Sequence, residues 1–127
     1  MQKVYNIGVE ATLEVIGCKW KPVILCNLNH HGKIRTNEFR RLIPGISQKM
    51  LTSQLRELEQ AGLIHRKVFN QVPPKVEYSL TTYGQGMEPI LNMLCTWGEK
   101  HVELLQDKGE DVLLKQRDED IAMQQTS

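Results

Sequence analysis

The sequence predicts a mainly α-helical fold that carries a two-strand β-ribbon. Two observations predict it, and a third bears on its partner. Apolar residues recur at a helical period on both sides of Pro44-Gly45, and the second of these segments has a capping signal at each end. Between residues 64 and 80 the period drops from 3.6 to 2, as a half-buried strand requires. Charge is segregated along the chain, although 16 Lys and Arg against 15 Asp and Glu leave a total of only +1. Residues 33–75 hold nine Lys/Arg and three Asp/Glu, net +6, whereas residues 76–127 hold four against ten, net −6.

At 127 residues the chain suits one domain with a tail, taken as 1–105 and a polar, acidic 106–127. A composition of 40% hydrophobic and 24% charged residues is that of a globular protein. No apolar run approaches the ~18 residues of a membrane span. The start, with Gln2 and Lys3, lacks an apolar signal core, so a cytoplasmic protein is expected. Three cysteines without CxxC spacing argue against a disulfide framework and a zinc knuckle.

Val9, Leu13, Ile16 and Trp20 form a helical stripe that Gly17 interrupts. A second helix is expected to start around Lys19 to Lys21, with Pro22 tolerated in its first turn. Its inner face is read as Val23, Ile24, Asn27 and Leu28, and Gly32 as its stop. Thr36 is expected to cap a short helix, Asn37 to Ile43, that turns Phe39, Leu42 and Ile43 inward. Pro44-Gly45 ends it. Ser47 caps the next helix, which seats Leu51, Leu55 and Leu58 and runs to about Ala61. Gly62 stands where a Schellman motif needs a left-handed residue, with Leu63 placed to meet Leu58. Ile64 to Phe69 and the alternating Val76, Tyr78 and Leu80 are paired as antiparallel strands around an Asn70–Pro74 loop. Thr81 or Thr82 is expected to cap one long final helix with Met87, Ile90, Leu91, Leu94, Trp97 and Leu105 on its apolar stripe. Val112 to Leu114 allow a further short turn.

A short helix, a tight turn and a capped helix, followed at once by a hairpin, make a winged helix-turn-helix. With its leucines inward, the Ser47 helix presents Gln48, Lys49, Thr52, Ser53 and Arg56 on a separate stripe. Gln can bond adenine in two places and Arg or Lys guanine, while Ser and Thr suit base edges or phosphates. The free N–H groups beside Ser47 offer a phosphate seat. Arg66, Lys67 and Lys75 put positive charge on the ribbon, suited to phosphates or an adjacent minor groove. Arg35, Arg40 and Arg41 either contact a backbone or keep the short helix soluble.

Several motifs in order closely resemble the HxlR-type regulators, a MarR-related group of bacterial winged-helix transcription factors. They are Ile16-Gly17 with Lys19-Trp20, Ser47 to Thr52, Gln54 to Glu59, Gly62-Leu63, Val72 to Pro74, Val76 to Thr81 and Gly84. The resemblance covers about Val9 to Trp97. It implies a homodimer on double-stranded DNA at a pseudo-palindromic operator, with reading helices roughly 34–36 Å apart. Repression is the simplest outcome and activation stays open. The resemblance further implies an interface between the first and last helices, here Val9, Leu13, Met87, Ile90, Leu91, Leu94 and Trp97. A final helix with more apolar surface than so small a domain can cover agrees, although the same stripe could close the protomer's own core. Many relatives sense oxidants or electrophiles through a cysteine that falls at Ile7 here, so that switch does not carry over. Cys18, before a helix start and beside Lys19, is a candidate redox sensor. A small residue filling a tight junction is the alternative.

The four histidines show no metal-ligand spacing, and no catalytic motif is present. No cofactor, metal or enzymatic activity is therefore expected, and the effector is left open. The competing reading is a winged-helix adaptor that binds protein and not DNA. A thiol peroxidase or reductase using Cys18 would lack a resolving CxxC.

Overall fold

A computed structural model describes residues 1–116, and the chain divides into two compact units, Met1–Gln85 and a second that begins at Gly86. The first holds α1 (Gly8–Ile16), α2 (Trp20–His31), β1 (Lys33–Arg35), α3 (Thr36–Leu42), α4 (Gln48–Gln60), β2 (Ile64–Phe69), β3 (Lys75–Leu80) and α5 (Thr82–Gln85). The second holds α6 (Glu88–Asp107).

Both ends of α4 follow from local chemistry. The Ser47 hydroxyl accepts the Met50 N–H at 3.1 Å, satisfying one of the donors a helix start leaves free. At the other end Gly62 takes φ +79°, a backbone conformation that costs glycine little. Gly62 N–H then donates to Glu59 O and Leu63 N–H to Leu58 O, the two bonds of a Schellman motif. Leu51, Leu55 and Leu58 are buried in the core of this unit, with Ile24, Leu25, Leu28, Ile34, Phe39, Leu63 and Ile64. The Phe39 and Tyr78 rings meet edge to face, 6.0 Å apart.

Four expectations are corrected. The sheet has three strands, not two, in the order β1-β3-β2, and both pairings are antiparallel. The added strand is Lys33–Arg35, whose Ile34 pairs with Tyr78 and is buried between two charged neighbours. On α2 the buried residues are Ile24, Leu25 and Leu28, while Val23 is exposed and Asn27 half-buried. Arg35, not Thr36, precedes the first turn of α3, and its N–H donates to Glu38 Oε1 at 3.1 Å.

The fourth correction concerns the final helix, which is broken. Thr81 does cap a helix, accepting the Gly84 N–H at 3.0 Å, but that helix is the four-residue α5. The chain restarts at Glu88 with Pro89 in the first turn of α6. Inside one continuous helix Pro89 would have removed an N–H and crowded the carbonyl four residues earlier, whereas in a first turn neither cost arises. Val112 to Leu114 are not helical, and residues 117–127 of the expected tail lie outside the described residues.

Candidate nucleic-acid interface

The leucine row of α4 turns one flank of the helix inward and leaves Gln48, Lys49, Thr52, Ser53 and Arg56 exposed. These five, with Glu57 and Gln60, line a shallow concavity of about 720 Å³. Gln48 Nε2 donates to Thr52 Oγ1 at 3.3 Å, linking two side chains one helical turn apart. Among the described residues neither Lys49 nor Arg56 enters an ion pair, so both cations are available to an external anion. Gln60 was not among the expected residues, although its place one turn beyond Arg56 marks it on the same stripe.

One α4 side chain departs from the simple inside–outside division. Gln54 is buried, only 7% exposed, in the leucine row. Its Oε1 accepts the Cys18 thiol at 2.6 Å, and its Nε2 donates to Glu57 Oε2 at 3.0 Å. The Lys21 ammonium, 3.7 Å from the same Glu57 oxygen, completes a polar chain from the α1–α2 junction to α4. Cys18 itself is exposed.

The ribbon's cations are not equivalent. Lys75 lies 3.3 Å from Glu77 Oε2 with both side chains largely covered, so its charge is already compensated. Its ammonium also sits 4.5 Å from the Phe69 ring centre, and that of Lys67 4.9 Å from the same ring. Arg66 and Lys67 are exposed and enter no ion pair among the described residues. Arg41 pairs with Glu38 at 3.6 Å on an exposed surface, an arrangement consistent with keeping α3 soluble. A second cavity, about 500 Å³, opens between Arg35 at the end of β1 with the start of α3 and the loop that leads into Lys75.

Of the residues expected at a dimer interface, Val9 and Leu13 on α1 are exposed, as are Ile90, Leu94 and Trp97 on α6. Met87, at the start of α6, is half-buried. Leu91 is 1% exposed and offers no surface to a partner, a correction to its place in that set. Met93, not anticipated, is 73% exposed on α6. Trp97 stacks on His101, rings 5.1 Å apart. No group of metal-ligating side chains occurs among the described residues, and none of their helices is long and apolar enough to cross a membrane.

Comparison with known proteins supplies a family context. The profile of the HxlR-like helix-turn-helix family matches residues 15–106. The HTH-type transcriptional regulator YtcD of Bacillus subtilis (strain 168) is 66% identical over 101 residues, 80% of this chain and 79% of its own. YybR of the same organism is 51% identical over 107 residues, covering 84% and 85%. A crystal structure of ytcD superposes with a TM-score of 0.72 at 63% identity, over 76% of this chain and 98% of that one. The redox regulator HypR in its reduced form gives 0.73 at 52% identity, over 80% and 99%.

Proposed function

The chain belongs to the HxlR-like helix-turn-helix family of transcriptional regulators, and from that premise we propose that it binds double-stranded DNA as a homodimer at a pseudo-palindromic operator, with repression as the simplest consequence. Family membership places it among transcriptional regulators and not among enzymes. The observation that carries the DNA reading is the exposed stripe from Gln48 to Arg56, whose cations Lys49 and Arg56 enter no ion pair among the described residues, on a helix whose other flank is locked by leucines. A rigid scaffold that presents amide, hydroxyl and guanidinium groups at helical spacing suits the donor and acceptor pattern of a major groove. Arg66 and Lys67, which carry no sequence information, add affinity through phosphates. Lys75, paired with Glu77, contributes less charge than either.

The dimer reading rests on α1 and α6, each of which leaves large apolar side chains exposed. A thiol-dependent input is a second reading, favoured by the bond from Cys18 to the buried Gln54 and by a structural relative that is itself a redox regulator.

The test begins with duplexes selected from a random pool by the full chain. Arg56→Ala and Gln48→Ala should each weaken the selected duplex by ~1–3 kcal/mol while leaving scrambled duplexes almost unaffected. Lys67→Ala should weaken all duplexes alike and flatten the salt dependence. An Arg56→Ala protein that binds every duplex as the parent does removes α4 from the mechanism. Salt-insensitive capture of a protein partner without DNA affinity would favour the adaptor reading instead.

A further inference from the structure

We propose that the free edge of β2 is a docking strand for an acidic, extended segment of another protein, which adds to the sheet as a further strand. The proposal goes beyond the DNA reading and stands without it. In the order β1-β3-β2, β2 pairs with β3 on one side only, and no strand among the described residues lies on the other. His65, Arg66, Lys67 and Val68 are exposed in succession, so the rest of the described chain does not cover that stretch. An open edge of this kind is a template for another strand.

The ladder fixes which backbone groups point outward. Thr81 N–H donates to Leu63 O at 3.0 Å, and these two residues continue the register in which Ile64 faces Leu80. Along an antiparallel ladder, pairs that exchange bonds alternate with pairs that do not. His65, Lys67 and Phe69 therefore bond to β3, whereas Arg66 and Val68 turn both N–H and C=O to the open side. An outward N–H suits many acceptors, but the two carbonyls need donors. A peptide strand supplies them, and a DNA phosphodiester has acceptors only, so the edge favours polypeptide over nucleic acid.

Charge then selects the peptide. Arg66 and Lys67 enter no ion pair among the described residues. A second copy of β2 laid alongside would bring these like charges together, which is unfavourable. Successive side chains leave a strand on opposite faces, so Lys67 and Arg66 point to opposite sides of the sheet. A strand with carboxylates at alternate positions sets them against Lys67. The apolar side chains between them lie along the Arg66 stem and Val68, which is 54% exposed. Because Arg66 and Lys67 are also the ribbon's free cations, a partner seated here would oppose DNA binding.

The test uses the full chain and a blocked, fluorescein-labelled peptide of alternating Glu and Val, about eight residues long. Fluorescence anisotropy should show saturable binding that weakens about tenfold when Gln replaces each Glu of the peptide. Val68→Pro removes an edge-facing N–H that β3 does not use, a place where a strand tolerates proline. It keeps every charge, yet should bind the peptide about tenfold more weakly, while Val68→Thr should bind as the parent does. Amide exchange on the wild type reads the same contact without a variant. The Arg66 and Val68 amides should exchange fast in the free chain and slow about tenfold at saturating peptide, with the Lys67 amide slow throughout. No saturable binding, a Val68→Pro protein that binds as the parent does, or Arg66 and Val68 amides that stay fast would each overturn the proposal. Protection of those amides by a random-sequence duplex, or by raised protein concentration alone, would assign the edge to nucleic acid or to a second copy instead.

Discussion

Gln54 is the residue whose surroundings say most about how α4 is held. It lies one turn from Leu51 and from Leu58, so the helical period places it on the buried side, yet its side chain is polar. Burying an amide is tolerable only with partners, and the Cys18 thiol and the Glu57 carboxylate supply them. The period made the buried side legible, although only Leu51, Leu55 and Leu58 were expected on it. The partner 36 residues away at Cys18 was not, because no local rule connects the α1–α2 junction to α4. The exposed thiol can be modified from solvent, and an adduct there would displace the sulfur from Gln54. N-ethylmaleimide treatment should therefore weaken binding to a selected duplex severalfold, and Cys18→Ser should bind normally and resist the reagent. Cys26 and Cys95, both half-buried, serve as internal controls. Unchanged binding by protein shown by mass spectrometry to be alkylated at Cys18 would remove the thiol from the mechanism.

Elements whose limits are set by neighbouring residues were readable, and those set by distant pairing were not. Ser47 and Gly62 mark α4 because each solves a local problem, a free donor in one case and a left-handed turn in the other. Lys33–Arg35 gave no such sign, since one isoleucine between two cations becomes a strand only when β3 lies alongside. The break before α6 was readable in principle, from Gly84, Gly86 and Pro89, but the apolar stripe across it suggested continuity. Around that break the end of β3 docks on the α4 cap. Thr81 Oγ1 donates to Gly62 O at 2.6 Å, Thr81 N–H donates to Leu63 O at 3.0 Å, and Gly84 packs against the same carbonyl. A Cβ on Gly84 would stand 2.0 Å from Leu63 O, and backbone cannot yield cheaply. Gly84→Ala should thus destabilise by ~1–3 kcal/mol or more in urea unfolding. Gly62→Ala should lose ~1–2 kcal/mol through its positive φ alone, as nothing crowds its Cβ. Equal, negligible losses for both would contradict this account of the joint.

At the scale of the molecule the segregation of charge was visible in the sequence, whereas which apolar residues are left uncovered was not. Leu91 and Leu94 share one predicted stripe, yet the first is 1% exposed and the second 49%. With Ile90, Met93 and Trp97 also exposed on α6, and Val9 and Leu13 on α1, the protomer presents large apolar side chains that water does not favour. A second copy related by a two-fold axis would cover them with the same residues, as an isologous contact requires. Dimerisation would also change the character of DNA binding. Two α4 helices held together would engage the second half-site as an intramolecular event, which would raise affinity by on the order of 10²–10⁴ without a new contact. The full chain should therefore sediment as a dimer at micromolar concentration. The double variant Leu94→Asp, Trp97→Asp, which forces charge into the buried centre of such a contact, should sediment as a monomer with an unchanged far-UV circular dichroism spectrum. Its affinity for a palindromic duplex should fall by that factor, to the level both proteins show for a single half-site. A variant that stays dimeric, or a monomer that binds the palindrome as tightly as the parent, would place the interface elsewhere and leave the exposed face of α6 without this role.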